Sequence, residues 1–454
     1  MFLYLLLYSY ILIEGCASKT LNNKIKIDCF MIDIELIRKN AELVIKNLKK
    51  RQDEEKVRWV LDVQEKDEKW RKLKGDADML RAERNTISQQ INEAKKAGKD
   101  TLKIIEKAKR IPQEIAEKEA EVGALKDKIN ELMMRIPNLL EEGVPVGKSD
   151  ADNVEIKKFG KLVKPKFELK SHVEVAEGLG VADFERSAKI SGHGFYFLKE
   201  ELALLNRALI QFAIDFLRKR EYVYTEPPLM MLRKPYEGVV DLGDFEKVMY
   251  IAGDEHLIAT SEHPLTAQFM DEVLDEKALP LRFCGYSMCF RREVGGHGID
   301  TKGLFRTHQF NKVEQIIICK PEESKKMHEE IQKNAEALYK ALKIPFRVVS
   351  VCTGDIGSIA SKKYDTEAWM PRQQMYREVG SASNCTDYQA RRLNIRYTDK
   401  DGERKLVHTL NNTAIATSRC MVAILENFQQ KDGSVKVPSV LWKYMGGVKV
   451  IKRK

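Results

Sequence analysis

Apolar side chains at Trp59, Leu73, Leu80, Ile87 and Ala94 fall on a seven-residue lattice, and Val63, Trp70, Ala77 and Ile91 occupy its companion seam. Lys66 and Arg84 interrupt the two rows. After KAGKD at 96–100, a second pair of rows runs through Ile104, Ile111, Leu125 and Leu132 and through Ala108, Ile115, Val122 and Ile129. A seven-residue repeat keeps one apolar stripe against a partner along a long helix while the charged remainder faces water. A short glycine-containing connection favours antiparallel pairing within one chain. The spacing therefore predicts two helices folded back as a coiled-coil hairpin over about 59–134. At about 1.5 Å per residue, roughly forty residues of helix reach about 55–60 Å, a lever rather than part of a globular core. Lys95, Lys96, Lys99, Lys103, Lys107, Lys109 and Arg110 gather near the turn, where phosphate contact is possible. A spacer or oligomerisation coil with a solvated charged face accounts for the arm equally well.

The pattern changes near Pro137, and GVPVGKSDADN at 143–153 reads as a turn or linker. Beyond it, residues 199–220 and PEESKKMHEEIQKNAEALYKALK carry helical patterns, while LRFCGYSMCFRRE, HQFNKVEQIIIC and FRVVSVCTGD supply strands. These strands are not separated by regular helical crossovers, so the expectation is an α+β domain built on a mainly antiparallel sheet with packed helices. With 454 residues, 43% of them apolar, the chain can build more than one core. A net charge of +10 permits a polyanionic partner without naming one. The opening MFLYLLLYSYILIEGC differs in character from the rest of the chain; residues 1–30 read as an upstream extension, a targeting segment or membrane anchor being the alternative. No membrane partner is expected for the folded body, and the cytoplasm is the expected compartment. The eight cysteines form no CxxC pair, which fits a reducing compartment. Cys284, Cys289 and His297 are too loosely spaced to imply structural zinc.

Neither GxxxxGK[ST] nor a strand-to-helix GxGxxG is present, so any nucleotide must be held by another cradle. CFRREVGGHGIDTKGLFRTHQF at 289–310 offers one, since guanidinium groups present a rigid fork of donors to phosphate or carboxylate oxygens. Arg291, Arg292, Glu293 and Arg306 bracket this stretch, and Arg419 lies on a later helical segment. Glu314, Glu378 and Glu426 offer carboxylates. A carboxylate facing phosphate needs a bridging cation, most naturally Mg²⁺. Adjacent side chains on an extended segment point to opposite faces, so Arg291 and Glu293 share one face and Arg292 takes the other. His308 reads as a structural hydrogen-bonding residue.

These motifs together resemble the seryl-tRNA synthetases, class II aminoacyl-tRNA synthetases of the common non-zinc type. The first signature is YVYTEPPLM with Pro228, the second runs from CFRRE to HQFNKVEQ, and the third spans TLNNTAIATSR and AILENFQQKDGSVKVPSVLWKYMGG. TSE at 260–262 adds the amino-acid pocket motif. ATSEHP and SASNCTDYQARR are similar to archaeal and eukaryotic cytosolic members, and the likeness runs from about Met31 to Gly447. It implies a tRNA-binding domain at 31–136 and a class II catalytic domain at 137–454. It also implies a homodimer with Pro228 at the interface, with ATP and L-serine as substrates and Mg²⁺ as cofactor. Serine tRNA is the acceptor, selenocysteine tRNA a further candidate, and the arm contacts the tRNA's long variable arm and elbow.

By the same resemblance Arg291 contacts the serine carboxylate and α-phosphate, Glu293 the adenosine, and Phe310 stacks on adenine. Arg419 lies near the opposite adenine face and the terminal phosphate, and Glu378 and Ser381 surround the divalent ion. Thr260, Glu262, Glu314 and Thr413 surround serine, with Glu314 and Thr413 reading its hydroxyl and Thr260 helping to hold its ammonium. Gly295–Gly298 corresponds to the variable loop of the second signature. Two other readings stand beside this one: a repurposed ligase charging a carrier protein, which should weaken or lose the arm, and a noncatalytic coiled-coil nucleic-acid binder, which leaves the pocket residues unexplained.

Overall fold

The structure is a computed structural model that describes residues 33–453 apart from 163–164, 242, 244–246 and 294–301. The apolar opening stretch, His297 and the Gly295–Gly298 run therefore lie outside the described residues. Three helices begin the described residues: α1 (Ile34–Lys49), α2 (Glu54–Lys96) and α3 (Leu102–Arg135). Asp33 and Asp53 cap the first two by accepting bonds from otherwise unpaired first-turn N–H groups. The 43 residues of α2 make it longer than the lattice alone required, about 64 Å. KAGKD is the hairpin turn, with Gly98 at φ +66°, a left-handed angle that favours glycine.

The seam divides into two apolar clusters. Near the tip, Ile87 packs with Ile111 and Ile115, flanked by Leu80, Ile91, Ile104 and Ala108. At the root, Val57, Val60 and Val63 meet Ile129 and Met133 together with Ile37, Val44 and Leu48 of α1. The root is thus a three-helix packing, which explains why Val57 and Val60 are buried although neither lies on the lattice rows. Asp67 is also buried there, bound by Arg38 Nε and Nη2 at 2.8 and 2.7 Å and by Arg71 Nε at 3.0 Å. Higher on the arm, Arg81 pairs with Glu119 and Lys118 with Asp76 between the helices.

The remainder is built on one eight-stranded sheet. Its strands are β1 (Val154–Phe159), β2 (Val223–Thr225), β3 (Leu281–Phe290), β4 (Gln309–Cys319), β5 (Phe346–Ser350), β6 (Lys362–Met370), β7 (Met375–Thr386) and β8 (His408–Ala416). They lie in the order β1-β5-β6-β7-β8-β4-β3-β2. Every pairing is antiparallel except β2 with β3, as the absence of helical crossovers predicts. Helices α4 (Glu200–Arg218), α5 (Glu262–Ala267), α6 (Ser324–Leu342) and α7 (Thr417–Asn427) pack around it. One face of the sheet carries the main core: Leu205, Leu209 and Leu217 of α4, Ile331 and Leu338 of α6 and Leu425 of α7 cover Val313 and Ile317 of β4. Because side chains alternate along a strand, Phe310, Lys312 and Glu314 must point to the other face, where the sheet floors a cavity.

Candidate active site

A cavity of about 500 Å³ opens on that face. Thr260, Glu262, Arg291, Glu293, Phe310, Glu314, Thr413, Glu378, Ser381 and Arg419, drawn from three strands, two helices and the segments beside them, all line it. Arg292 is exposed and does not line it, and its amide donates to the Val248 carbonyl at 2.8 Å. Simple alternation is not the whole reason, because β3 ends at Phe290 and Glu293 has a left-handed φ of +46°. A turn in the backbone brings Glu293 back to the cavity, where Arg306 approaches it at 3.8 Å.

Two β-bulges assemble the floor. Strict alternation along β7 would put Glu378 and Ser381 on opposite faces. The β6–β7 register steps from Thr366 opposite Gly380 to Glu367 opposite Glu378, leaving Val379 as the extra residue and bringing both side chains to the cavity. In β8 the register steps from Val313 opposite Ile415 to Glu314 opposite Thr413, so Ala414 is the extra residue. Thr413 Oγ1 then donates to Glu314 Oε2 at 3.1 Å. Gly380 permits this crowding, since a Cβ there would lie 3.2 Å from the Cβ and carbonyl oxygen of Thr413.

At this end of the cavity Lys312 Nζ reaches Glu314 Oε2 at 2.7 Å, and both residues are buried. Sequence reasoning missed Lys312, although a lysine two places before Glu314 on the same strand shares its face. Glu262 begins α5, which approaches closely over Gly285. Burial and the neighbouring Glu314 push the Glu262 carboxyl up to about 7, while Gln389 Nε2 donates to it at 2.9 Å. His263 is buried against the Tyr236 hydroxyl at 2.8 Å, and burial holds its pKa well below the ordinary histidine value.

At the other end, the guanidinium of Arg291 lies over the Phe310 ring, 5.2 Å from its centroid. Arg419 Nη1 donates to the Glu378 carbonyl and carboxylate at 3.0 and 3.1 Å, and its guanidinium carbon lies 5.1 Å from the Phe305 ring. Enclosure pushes the Glu378 carboxyl up, but Arg419 and Lys363 override it and hold it down at about 2. Its side chain keeps 41% exposure toward the cavity. Glu378 and the Ser381 hydroxyl thus present two oxygen donors on one wall, a set that suits Mg²⁺ completed by phosphate and water oxygens. Among the described residues no group of three or more His, Cys, Asp or Glu is gathered as a metal site.

The remaining candidates lie elsewhere. Glu426, offered by the sequence as a site carboxylate, is buried and accepts from the Arg372 amide at 3.2 Å; it caps a turn outside the cavity. His308 bonds the Tyr250 hydroxyl at 2.6 Å. Cys284, Cys289, Cys319, Cys352, Cys385 and Cys420 are buried free thiols. The basic residues of the arm are all exposed near its tip, although Lys107 is paired with Glu83 across the hairpin. Pro228 is exposed next to edge strand β2. Among the described residues no helix is long and apolar enough to cross a membrane.

Comparison with known proteins adds the relationships. The tRNA synthetase class II core domain (G, H, P, S and T) matches residues 251–428, and the seryl-tRNA synthetase N-terminal domain matches residues 31–140. The serine--tRNA ligase of Methanocella arvoryzae is 55% identical over 425 residues, covering 93% of this chain and 100% of its own. That of Methanospirillum hungatei is 54% identical, covering 91% and 99%. The crystal structure of seryl-tRNA synthetase from Pyrococcus horikoshii complexed with ATP superposes with a TM-score of 0.90 at 47% identity, covering 93% of this chain and 100% of that one.

Proposed function

The chain belongs to the seryl-tRNA synthetases, and on that premise we propose how its cavity and arm divide the work. The enzyme activates L-serine with ATP and transfers the seryl group to serine tRNA. In the first step a serine carboxylate oxygen attacks the α-phosphorus of ATP, the bond to the β-phosphate breaks, and pyrophosphate leaves. In the second a hydroxyl of the terminal tRNA ribose attacks the seryl carbonyl and AMP leaves. Neither step requires a protein nucleophile, so the side chains orient the reactants and stabilise developing charge.

The Glu262, Glu314 and Thr413 end is the serine pocket. Its buried hydroxyl, carboxylate and ammonium groups match a small polar substrate. Thr260 and Glu262 hold the substrate ammonium, while Glu314 and Thr413 read the hydroxyl, with Lys312 keeping Glu314 in place. Arg291 holds the serine carboxylate and α-phosphate. Phe310 stacks on adenine, Glu293 contacts the adenosine, and Arg419 takes the departing phosphates. Glu378 and Ser381 would hold Mg²⁺, which when bound neutralises phosphate charge. The observation that carries this reading is the Thr413–Glu314–Lys312 cluster, facing the same cavity as Arg291 and Arg419.

The division into a tRNA-binding part at 31–136 and a catalytic part at 137–454 is part of the same proposal. The exposed basic tip, Lys95, Lys96, Lys99, Lys103, Lys109 and Arg110, supports contact with the phosphates of serine tRNA, and the proposal extends to selenocysteine tRNA. The retained arm tells against a carrier-protein ligase. A homodimer is supported by the apolar surface beside Pro228, where Val223, Met230 and Leu232 are 59%, 49% and 60% exposed on and beside edge strand β2. The buried free thiols support the cytoplasm as the compartment. ATP–pyrophosphate exchange with serine, alanine and threonine tests the pocket: serine alone should support rapid exchange, and equal exchange with alanine would overturn the assignment.

A further inference from the structure

Arg51, in the turn between α1 and α2, is 6% exposed. Its hydrogen bonds among the described residues all end on main-chain carbonyls: Nη1 donates to Ile356 and Gly357 at 3.0 and 3.2 Å, and Nη2 to Asn138 and Ala360 at 3.0 and 3.4 Å. Asn138, just beyond the end of α3, completes the pattern. Its amide donates to the Ser358 carbonyl at 2.8 Å, and its side-chain nitrogen to the carbonyls of Ile359 at 2.9 Å and Cys385 at 2.7 Å. The Glu141 amide then donates to Ser361 at 3.0 Å. Every carbonyl from Ile356 to Ser361 therefore accepts a bond from the root of the arm or the segment leaving it.

The segment so held lies between β5 and β6 with no helix or strand of its own. Its backbone acceptors need partners, and these come from residues more than 200 positions away in sequence. Gly357, Ser358, Ile359 and Ala360 line the cavity. So does Cys385, which receives Asn138 on its carbonyl and Asn411 on its thiol; Asn411 also lines the cavity and lies two residues along β8 from Thr413, on the same face, at the end that holds Glu314 and Glu262. The wall gripped by Arg51 is thus the one at the Glu262 end. A planar guanidinium spans several carbonyls in a fixed fork, which the single nitrogen of lysine cannot do.

We propose that Arg51 is a positioning residue for serine: the root of the arm fixes the 356–361 wall of the serine pocket and is part of the site it adjoins. This rests on the serine reading of the Glu262 end. It assigns the α1–α2 turn a role in the first chemical step, separate from whatever the arm's tip does with tRNA.

The test uses full-length Arg51→Met and Arg51→Lys. Hydrogen exchange read by mass spectrometry should accelerate in peptides covering 354–362 in both variants, with the sheet strands unchanged. In ATP–pyrophosphate exchange the serine KM should rise about tenfold in Arg51→Met, while kcat and the ATP KM stay within about threefold, and Arg51→Lys should recover part of the serine KM. Unchanged exchange at 354–362 would overturn the grip. A loosened wall with unchanged serine KM, or a fall in kcat alone, would overturn the positioning role. If Arg51→Met does not fold, Arg51→Lys decides by the same two readouts. The hydrogen-exchange arm needs no substrate, so its outcome for Arg51 stands apart from the serine reading, which fails if the wild-type protein shows no serine-dependent exchange or exchanges equally with alanine.

Discussion

Replacing Thr413 by alanine removes one hydroxyl from the buried cluster it forms with Glu314 and Lys312. Thr413 and Glu314 are 7% and 1% exposed, and the Thr413 hydroxyl donates to the same Glu314 oxygen that Lys312 contacts at 2.7 Å. With its proton given to Glu314, Thr413 Oγ1 holds that carboxylate so that its remaining oxygen accepts the single proton of a substrate hydroxyl. A hydrogen bond to a charged group contributes about 1.5–3 kcal/mol. At about 1.4 kcal/mol per factor of ten, kcat/KM for serine in exchange should fall by roughly 10- to 150-fold. Alanine has no hydroxyl to lose, so its kcat/KM should change much less and the serine-to-alanine ratio should narrow by a similar factor. Threonine retains the hydroxyl and is rejected by the space its methyl needs, so the vacated Cγ2 should admit it more readily. The ATP KM should move little, and Thr413→Ser, which keeps the hydroxyl, should retain most serine activation. Exchange kinetics with all three amino acids, on protein whose near-UV circular dichroism is unaltered, provide the check. An unchanged serine-to-alanine ratio would refute the hydroxyl-reading role, whatever happened to overall rate.

Arg419→Ala removes the guanidinium that holds Glu378 and that we assign to the phosphates; exchange should drop roughly 100-fold or more while thermal unfolding shifts little, and near-normal exchange would contradict the role. Deleting 66–127 and rejoining the helices removes the tip cluster but keeps Arg51 and the cavity, so serine-dependent exchange should persist while charging of tRNA collapses; equal charging by both proteins would remove the arm from tRNA binding. In the intact enzyme, tRNA affinity should weaken steeply with salt, and neutralising Lys95, Lys96 and Lys99 together should flatten that slope. Glu262 sits at about 7 in the folded chain against an ordinary value of about 4.5. The folded chain therefore keeps a proton that the unfolded chain releases, and stability from this group is complete below about 4.5 and lost as pH rises through about 7. Urea denaturation at pH 5 and 8 should show that loss in wild type and a smaller one in Glu262→Gln. The serine KM should fall as Glu262 ionises across the same upper range, and a KM independent of pH would count against its contact with the ammonium.

Much of this architecture is legible in the sequence because its periodicities are long. The heptad rows announce the hairpin, and the missing crossovers announce an antiparallel sheet. The rows do not announce α1, whose Ile37, Val44 and Leu48 turn the root into a three-helix packing and bury Val57 and Val60 off the seam. The cavity residues are recognisable as motif positions, but alternation alone would separate Glu378 from Ser381. The bulge at Val379 undoes that separation, the one at Ala414 sets Thr413 opposite Glu314, and a bulge depends on cross-strand register, which a single strand's sequence does not carry. Lys312 was within reach of the alternation rule. Arg51 was not: its partners are carbonyls, which have no side-chain signature, and three of the four lie about 300 residues away. Glu426 shows the reverse failure, a carboxylate on a helix of the third signature that serves the backbone at Arg372 instead of the cavity.

The most direct test of the account joins both reaction steps in one preparation. Purified full-length protein is assayed with Mg²⁺ for serine-dependent ATP–pyrophosphate exchange, and then for transfer of labelled serine to serine tRNA from the same organism. The account predicts exchange that requires serine, followed by charging of that tRNA to near completion and little charging of tRNAs lacking a long variable arm. Exchange without any transfer to serine tRNA, from folded protein and chargeable tRNA, would contradict it.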